Sequence, residues 1–155
     1  MITSDEKKLI EDIILEFFNK AGYSVFIKSF ECLNNEKEIL SIDLGTEEAQ
    51  ILIGKQGSVL ADIQLLLRKI INKELKKEIY LNLDIDNYKK NKEEYLRDLA
   101  ESVADEVVIT RQSKEIALSS SFDRRIIHLE LTKREDVIAE SRGEGEHRKI
   151  VIKPK

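Results

Sequence analysis

Four residues, Gly54-Lys55-Gln56-Gly57, constrain this chain more than any others. They cut a run of helical apolar spacing in two. Ala49, Leu52 and Ile53 precede them, and Val59, Leu60, Ile63, Leu67, Ile70 and Ile71 follow. Glycines three apart let the backbone reverse between two helices, and with no side chain above the peptide groups another polymer can come close. Amides that open the second helix face that space with the positive end of the dipole. Lys55 adds a mobile charge and Gln56 a hydrogen-bonding group. A helix–turn–helix link that needs glycine only for geometry has the same local signature, so the surroundings must decide. The γ-phosphate loop of nucleotide hydrolases is excluded, because no Gly-Lys-Ser/Thr ends a GxxxxG.

The surroundings are regular. Among 155 residues there are six glycines and one proline, Pro154, so little breaks secondary structure. Thr3 and Glu6 form a capping-box pattern ahead of Leu9, Ile10, Ile13, Ile14, Phe17 and Phe18, which predicts a helix from Ser4 to Lys20. Tyr23 to Phe30 reads as a strand, Leu33-Asn34-Asn35-Glu36 as a turn, and Leu40, Ile42 and Leu44 as a second strand. Thr46 is placed to cap the short helix before the glycines. Ile79, Leu81, Leu83 and Ile85 alternate as a third strand. Asn87 can cap a helix from Tyr88 to about Val108, with Leu96, Leu99, Ala100, Val103, Ala104 and Val107 inward. Ile116-Ala117-Leu118 is a short strand, Ser119-Ser120-Ser121 a loop, and Phe122 to Lys133 a helix. Val137–Ser141 and His147–Lys153 are strands joined across Gly143-Glu144-Gly145-Glu146. The expected class is α+β, with a module boundary at Asp86-Asn87 that separates residues 1–86 from 87–155.

Composition narrows the function. Apolar residues make up 41%, enough for a buried core. Cys32 is the single cysteine, which rules out an internal disulfide and a cysteine-rich zinc site and leaves it a bystander thiol. Two histidines and no compact carboxylate cluster argue against a metal centre, and no cofactor is expected. The N-terminal residues do not resemble a signal peptide, and no run of about 18 apolar residues could span a membrane. A cytoplasmic location is the expectation. Net charge is −4, with a pI near 5.4, which taken whole disfavours nucleic acid. The charge is uneven, however: residues 111–155 hold 11 basic and 8 acidic side chains, and residues 55–77 hold six and two.

A second motif lies in the basic part. Arg124 and His128 sit four apart on a helix and so share a face, where an exposed guanidinium beside an imidazole could grip phosphate and contact a base. Alone, such a pair is usually a solvated helix face. Here Asp123-Arg124-Arg125-Ile126-Ile127-His128-Leu129 is followed by Ser141-Arg142-Gly143-Glu144-Gly145 and Arg148-Lys149-Ile150-Val151-Ile152-Lys153-Pro154. In the last strand, Ile150 and Ile152 point inward, leaving His147, Lys149, Val151 and Lys153 on a mainly basic outer face. Phe17, Phe18, Phe26 and Phe30 are expected in the core, and Tyr80 and Tyr88 nearer the surface.

The order helix-strand-strand-helix-GxxG-helix-strand resembles a type II KH domain, and the Arg-x-x-x-His segment resembles the R-three-H domain. In that order, and over nearly the whole chain, they resemble the bacterial Jag (KhpB) family. The resemblance implies a type II KH fold followed by a small α/β domain with an antiparallel three-stranded sheet. It also implies a non-enzymatic protein that holds single-stranded RNA, with DNA as the alternative, at Gly54, Lys55, Gln56 and Gly57 and at Arg124 and His128. Arg125, Arg148 and Lys149 join the expected contacts as neighbouring cations. Family members are linked to cell elongation and envelope control and often act with a small single-KH protein; a second copy of this chain is the other candidate partner. They commonly carry a further N-terminal domain and a charged linker, whereas this sequence starts at the KH module, so the resemblance does not extend to functions residing in that domain. After the third strand the family tends to show Asp-x-x-Gly-Tyr-Arg. Asp84-Ile85-Asp86-Asn87-Tyr88-Lys89 replaces the Gly with Asn and the Arg with Lys, which keeps the charge and loses the planar fork.

Two other classes compete. A protein-interaction adaptor, with the KH fold used to dimerise or dock a partner, suits the net negative charge. A small hydrolase or transferase would need His128 as base with Asp123 or Glu130 beside it, and no nucleophile–base–orienter set accompanies them.

Overall fold

In the computed structural model, residues 2–34, 38–118 and 120–155 are described, and the chain divides into two compact units, Met1–Lys89 and Lys90–Lys155. Asn35 and Glu36 of the expected turn, and Ser119 of the expected loop, lie outside the described residues.

The first unit opens with α1, Ser4–Lys20. Its start is fixed as the pattern foretold: the Thr3 hydroxyl accepts from the Glu6 amide at 3.2 Å and the Glu6 carboxylate accepts from the Thr3 amide at 2.9 Å. Strands β1, Phe26–Asn34, and β2, Glu38–Gly45, pair antiparallel, with a bulge between Ile27 and Ser29. Then come α2, Ala49–Ile53, a single 3₁₀ turn at Lys55–Gly57, α3, Ser58–Leu75, and β3, Tyr80–Ile85. Strand β3 runs parallel to β2, so the sheet order is β1-β2-β3. The register sets Leu40 beside Leu81, Ile42 beside Leu83 and Leu44 beside Ile85. Those six side chains form one apolar face, which packs with Ile10, Ile14 and Phe18 of α1 and Leu60, Ile63, Leu67 and Ile71 of α3. Mixed pairing of this kind, with helices burying one face, is what the α-β-β-α-α-β order requires.

Several local expectations shift. Strand β1 starts three residues later than Tyr23 and runs on to Asn34. Thr46 is not the cap of α2, which begins after Glu48; its hydroxyl instead donates to the Ser24 carbonyl and accepts from the Glu48 amide, tying the turn below. Phe26 is not core: it is 58% exposed, because the pairing places it opposite Gly45 and its ring lies over that glycine. Val59 and Ile70 are partly exposed rather than inward. Tyr80 is half-buried beneath the Arg68 guanidinium, 4.5 Å from its ring centroid.

The second unit takes α4, Tyr88–Thr110, through its Leu96, Ala100, Ala104 and Val107. Strands β4, Lys114–Ala117, β5, Val137–Arg142, and β6, Lys149–Pro154, form an antiparallel sheet in the order β4-β6-β5. Helix α5, Ser121–Leu131, lies between β4 and β5 in sequence, and its Ile126, Ile127 and Leu131 complete the core with Ile150 and Ile152. Arg134 fastens the start of β5: its guanidinium donates to Asp136, to Glu101 at 2.9 Å and to Asp105 at 2.6 Å.

The capping box carries a pH signature. Lys77 and the Thr3 amide pull the Glu6 carboxyl from 4.5 down to about 2. A carboxyl whose pKa falls on folding adds stability above its unfolded value and loses it as acid protonates the folded form. This contribution should be complete above pH 4.5 and fade toward pH 2. Glu6→Gln should therefore lose less melting temperature than the parent over that interval, as thermal unfolding followed by circular dichroism will show.

Candidate nucleic-acid interface

The glycine loop is built from left-handed backbone. Gly54 has φ 71°, Gln56 φ 54° and Gly57 φ 82°. A β-carbon on Gly54 would fall 2.3 Å from the Val59 side chain, and one on Gly57 would fall 3.0 Å from the Tyr88 ring. Both glycines therefore answer two demands at once, positive φ and contact with a packed neighbour. Val59 and Tyr88 pack against the two glycines, and Lys55 and Gln56 stand exposed. Gly57 is the N-cap of α3, which has no side-chain cap and no acidic residue in its first turn. An 18-residue helix thus opens beside Lys55 without a carboxylate of its own to satisfy it.

The basic surroundings are thinner than their count suggested. Arg68 donates to the Ile79 carbonyl and covers Tyr80, while Lys77 is bound to Glu6 at 2.5 Å. Lys69 and Lys73 are exposed on α3. Lys89, where family members carry arginine, points into the unit. Its ammonium donates to Gln64 at 2.7 Å and Asn82 at 3.1 Å, and burial lowers its pKa from the ordinary lysine value. It acts as an internal tie, with no phosphate-facing fork. The Asp84 carboxylate, its pKa raised by burial, accepts from the Lys89 amide at the start of α4. Asp84 does the capping expected of Asn87. Asn87 itself has φ 55°, a left-handed conformation that asparagine tolerates better than most residues.

In the second unit, α5 positions the Arg-x-x-x-His pair. The Ser120 hydroxyl accepts from the Asp123 amide at 3.4 Å and caps the helix. Arg124 is not exposed as expected: only 8% of it is accessible, and its guanidinium donates to the Leu118 carbonyl at 2.6 Å. It lies on the same side of α5 as Ile127 and Leu131, which explains the burial. Asp123 is also buried, with Lys92 of α4 held 3.1 Å from one carboxylate oxygen; the other oxygen has no hydrogen-bond partner. Arg125 and His128 remain on the open side.

These residues converge. A cavity of about 280 Å³ is lined by Ser121, Arg124, Arg125, His128, Ser141 and Arg148. Four cations or hydrogen-bonding rings expected from the sequence therefore meet, although Arg148 lies twenty residues beyond His128 in the chain. Ser121 and Ser141 add two hydroxyls that the sequence pattern does not single out; the Ser141-Arg142 segment was the available signal. Lys149 is not part of this cavity. It projects from the opposite face of β6, where it pairs with Glu115 at 2.6 Å. Lys153 and Arg142 on that face both pair with Glu140 at 3.0 Å, and Val151 between them is buried. The expected basic outer track is thus largely cross-linked by carboxylates. The catalytic alternative loses its orienting acids as well, since Asp123 is tied to Lys92, and Glu130 to Lys133 and Arg97. Among the described residues, no three potential metal ligands gather.

A mixed sheet with a double-glycine loop, followed by an arginine–histidine helix on an antiparallel sheet, defines a two-module KH and R-three-H protein. The family model of the KH domain matches residues 13–93 and that of the R-three-H domain residues 94–154. The RNA-binding protein KhpB of Clostridium symbiosum is 32% identical over 156 residues, covering 98% of this chain and 69% of that protein. The RNA-binding protein KhpB of Bacillus subtilis is 31% identical over 83% of this chain and 62% of its own length. That of Lactiplantibacillus plantarum is 31% identical over 72% of this chain and 35% of its own length. The chain belongs to the KhpB (Jag) family.

Gly57→Ala tests the loop. Left-handed strain on alanine costs about 1–2 kcal/mol, and the Tyr88 contact adds to it. Urea unfolding should show a loss of at least that size, whereas Lys55→Ala, at an exposed position, should change stability by no more than about 0.5 kcal/mol.

Proposed function

We propose that this protein binds single-stranded RNA along the phosphate backbone, at the Gly54–Gly57 loop and at the Arg125–His128–Arg148 cavity, without catalysing a reaction. The observation that carries the proposal is the convergence of Arg124, Arg125, His128 and Arg148 on one depression. A cluster of cations with hydroxyls beside it suits an anionic polymer better than a neutral ligand. The uncapped α3 terminus and Lys55 supply a second backbone contact. The relatives' name, RNA-binding protein, supports RNA over DNA. With module limits at residues 1–86 and 87–155, each site belongs to one module. The role we infer is post-transcriptional regulation in the cytoplasm, linked to cell elongation or envelope control, on the strength of the family resemblance. Among the described residues, no helix is long and apolar enough to cross a membrane.

A docking role has one observation in its favour. Leu9, Ile13 and Phe17 of α1 and Ile70 of α3 line an open groove of about 370 Å³, flanked by Glu16, Lys20 and Glu74. A small single-KH protein or a second copy of this chain is the partner we infer for it. The two readings are compatible, and separate substitutions address them.

Lys55→Asp with Gln56→Asp opposes phosphate in the loop at exposed positions. It should weaken binding of a single-stranded oligonucleotide by at least tenfold with the melting temperature unchanged; undiminished affinity would favour the docking role alone. At the second site, Arg125→Ala with Arg148→Ala is the informative pair, because Arg124 is buried and its removal would unseat Leu118. The slope of log affinity against log salt should shrink by about 0.7 for each phosphate that the variant no longer neutralises. A parent slope near zero would mean that electrostatic capture is absent.

A further inference from the structure

We propose that Phe122 is a nucleobase platform: a base of the bound strand stacks on its ring while the adjoining phosphate lies among Arg125, His128 and Arg148. The proposal rests on the nucleic-acid reading above and adds to it a contact with the base.

Phe122 stands in the first turn of α5 and is 56% exposed, although Ile126, Ile127 and Leu131 of the same helix are buried. It takes no part in the apolar core of the second unit. Its neighbour Ser121 lines the cavity, and so does Arg125, one turn further on. Residues three apart on a helix hold their β-carbons about 5–6 Å from one another. Phe122 thus shares a stretch of helix surface with Arg125, which puts an exposed ring one turn from a cation that lines the cavity. Leu129, 54% exposed and seven residues on, extends the same strip past Arg125.

An isolated exposed phenylalanine needs no explanation. One whose helix neighbours Ser121 and Arg125 line a cavity bearing three arginines and a histidine does invite a partner, and the charge selects it. A hydrophobic protein surface would have to leave those cations desolvated, whereas a nucleotide offers an anion to the guanidinium groups and an aromatic face to the ring. Stacking of this kind tolerates any base, since each has a π-face. It supplies an attraction that phosphate contacts alone lack, and that bare sugar-phosphate cannot provide.

The chain contains no tryptophan, so Phe122→Trp installs a single reporter at the site. The variant is titrated with a short single-stranded RNA and with an abasic strand of equal length. Quenching by the RNA and none by the abasic strand is the expected result. Phe122→Ala should weaken RNA binding roughly tenfold while leaving abasic affinity unchanged, and Phe122→Tyr should retain RNA affinity. RNA binding that Arg125→Ala weakens, but that neither quenches the tryptophan nor responds to Phe122→Ala, overturns the platform and leaves the nucleic-acid reading standing. Equal quenching by both strands puts sugar-phosphate against the ring and also overturns it. If no strand binds the parent protein, the nucleic-acid reading itself fails.

Discussion

Val59 occupies the volume that a β-carbon at Gly54 would claim, Tyr88 presses closely on that of Gly57, and the shape of the double-glycine loop depends on these two neighbours. Without them, three left-handed residues in a stretch of four would be free to relax, since glycine constrains nothing by itself. With them, the turn is fixed from within, where the Gly54 amide donates to Gln50 and the Gly57 amide to Gly54, while Lys55 and Gln56 stay exposed. Tyr88 is in turn held by its own junction. The Asp86 amide donates to the Leu44 carbonyl, the Asn87 amide to Asp43, and the Lys89 amide to Asp84. The loop is thus referred back to the central strand β2 through hydrogen bonds, which explains how a flexible residue type can present a rigid surface.

The second site applies the same logic to charge. Arg124 gives up its exposure to bond the Leu118 carbonyl, and Asp123 beside it is locked to Lys92. A buried pair of this kind adds little net stability, but losing one partner leaves a charge uncompensated, so it enforces one position for the helix start. Arg125 and His128 of the same helix stay exposed beside these anchored residues. Arginine and histidine in the Arg-x-x-x-His pattern therefore divide the work: the first anchors with one edge lining the cavity, and the second is presented.

Much of the fold was legible because apolar periodicity and a single preferred burial face agree in most core elements. The capping box at Thr3 and the alternation of Leu81, Leu83 and Ile85 fixed their elements almost to the residue. The glycine loop was legible through its setting, since the spacing alone also fits a plain helix–turn–helix link. Burial of a charged side chain was not. Nothing in the local pattern separates Arg124 from Arg125; the distinction arises from which side of α5 meets Ile127 and Leu131. Cross-strand neighbours were equally hidden. Lys149, Lys153 and Arg142 read as a basic stripe along their strands, yet register places Glu115 and Glu140 on either side of Val151. Phe26 was misplaced for the same reason, its partner Gly45 being nineteen residues away.

That pairing also resolves the tension between an acidic chain and an anionic ligand. A carboxylate lying a few ångströms from a lysine cancels most of its reach, so summed charge overstates some patches and hides others. Lys149 and Arg68 count as basic but are engaged by their own neighbours. Among the described residues, none that lines the cavity of α5 is a carboxylate. With a screening length of about 8 Å at physiological salt, an incoming phosphate senses the groups around that depression far more than the net −4 of the chain. On the proposed reading, the acidic remainder would repel strands that approach elsewhere and favour binding at places such as this depression, whose lining holds cations.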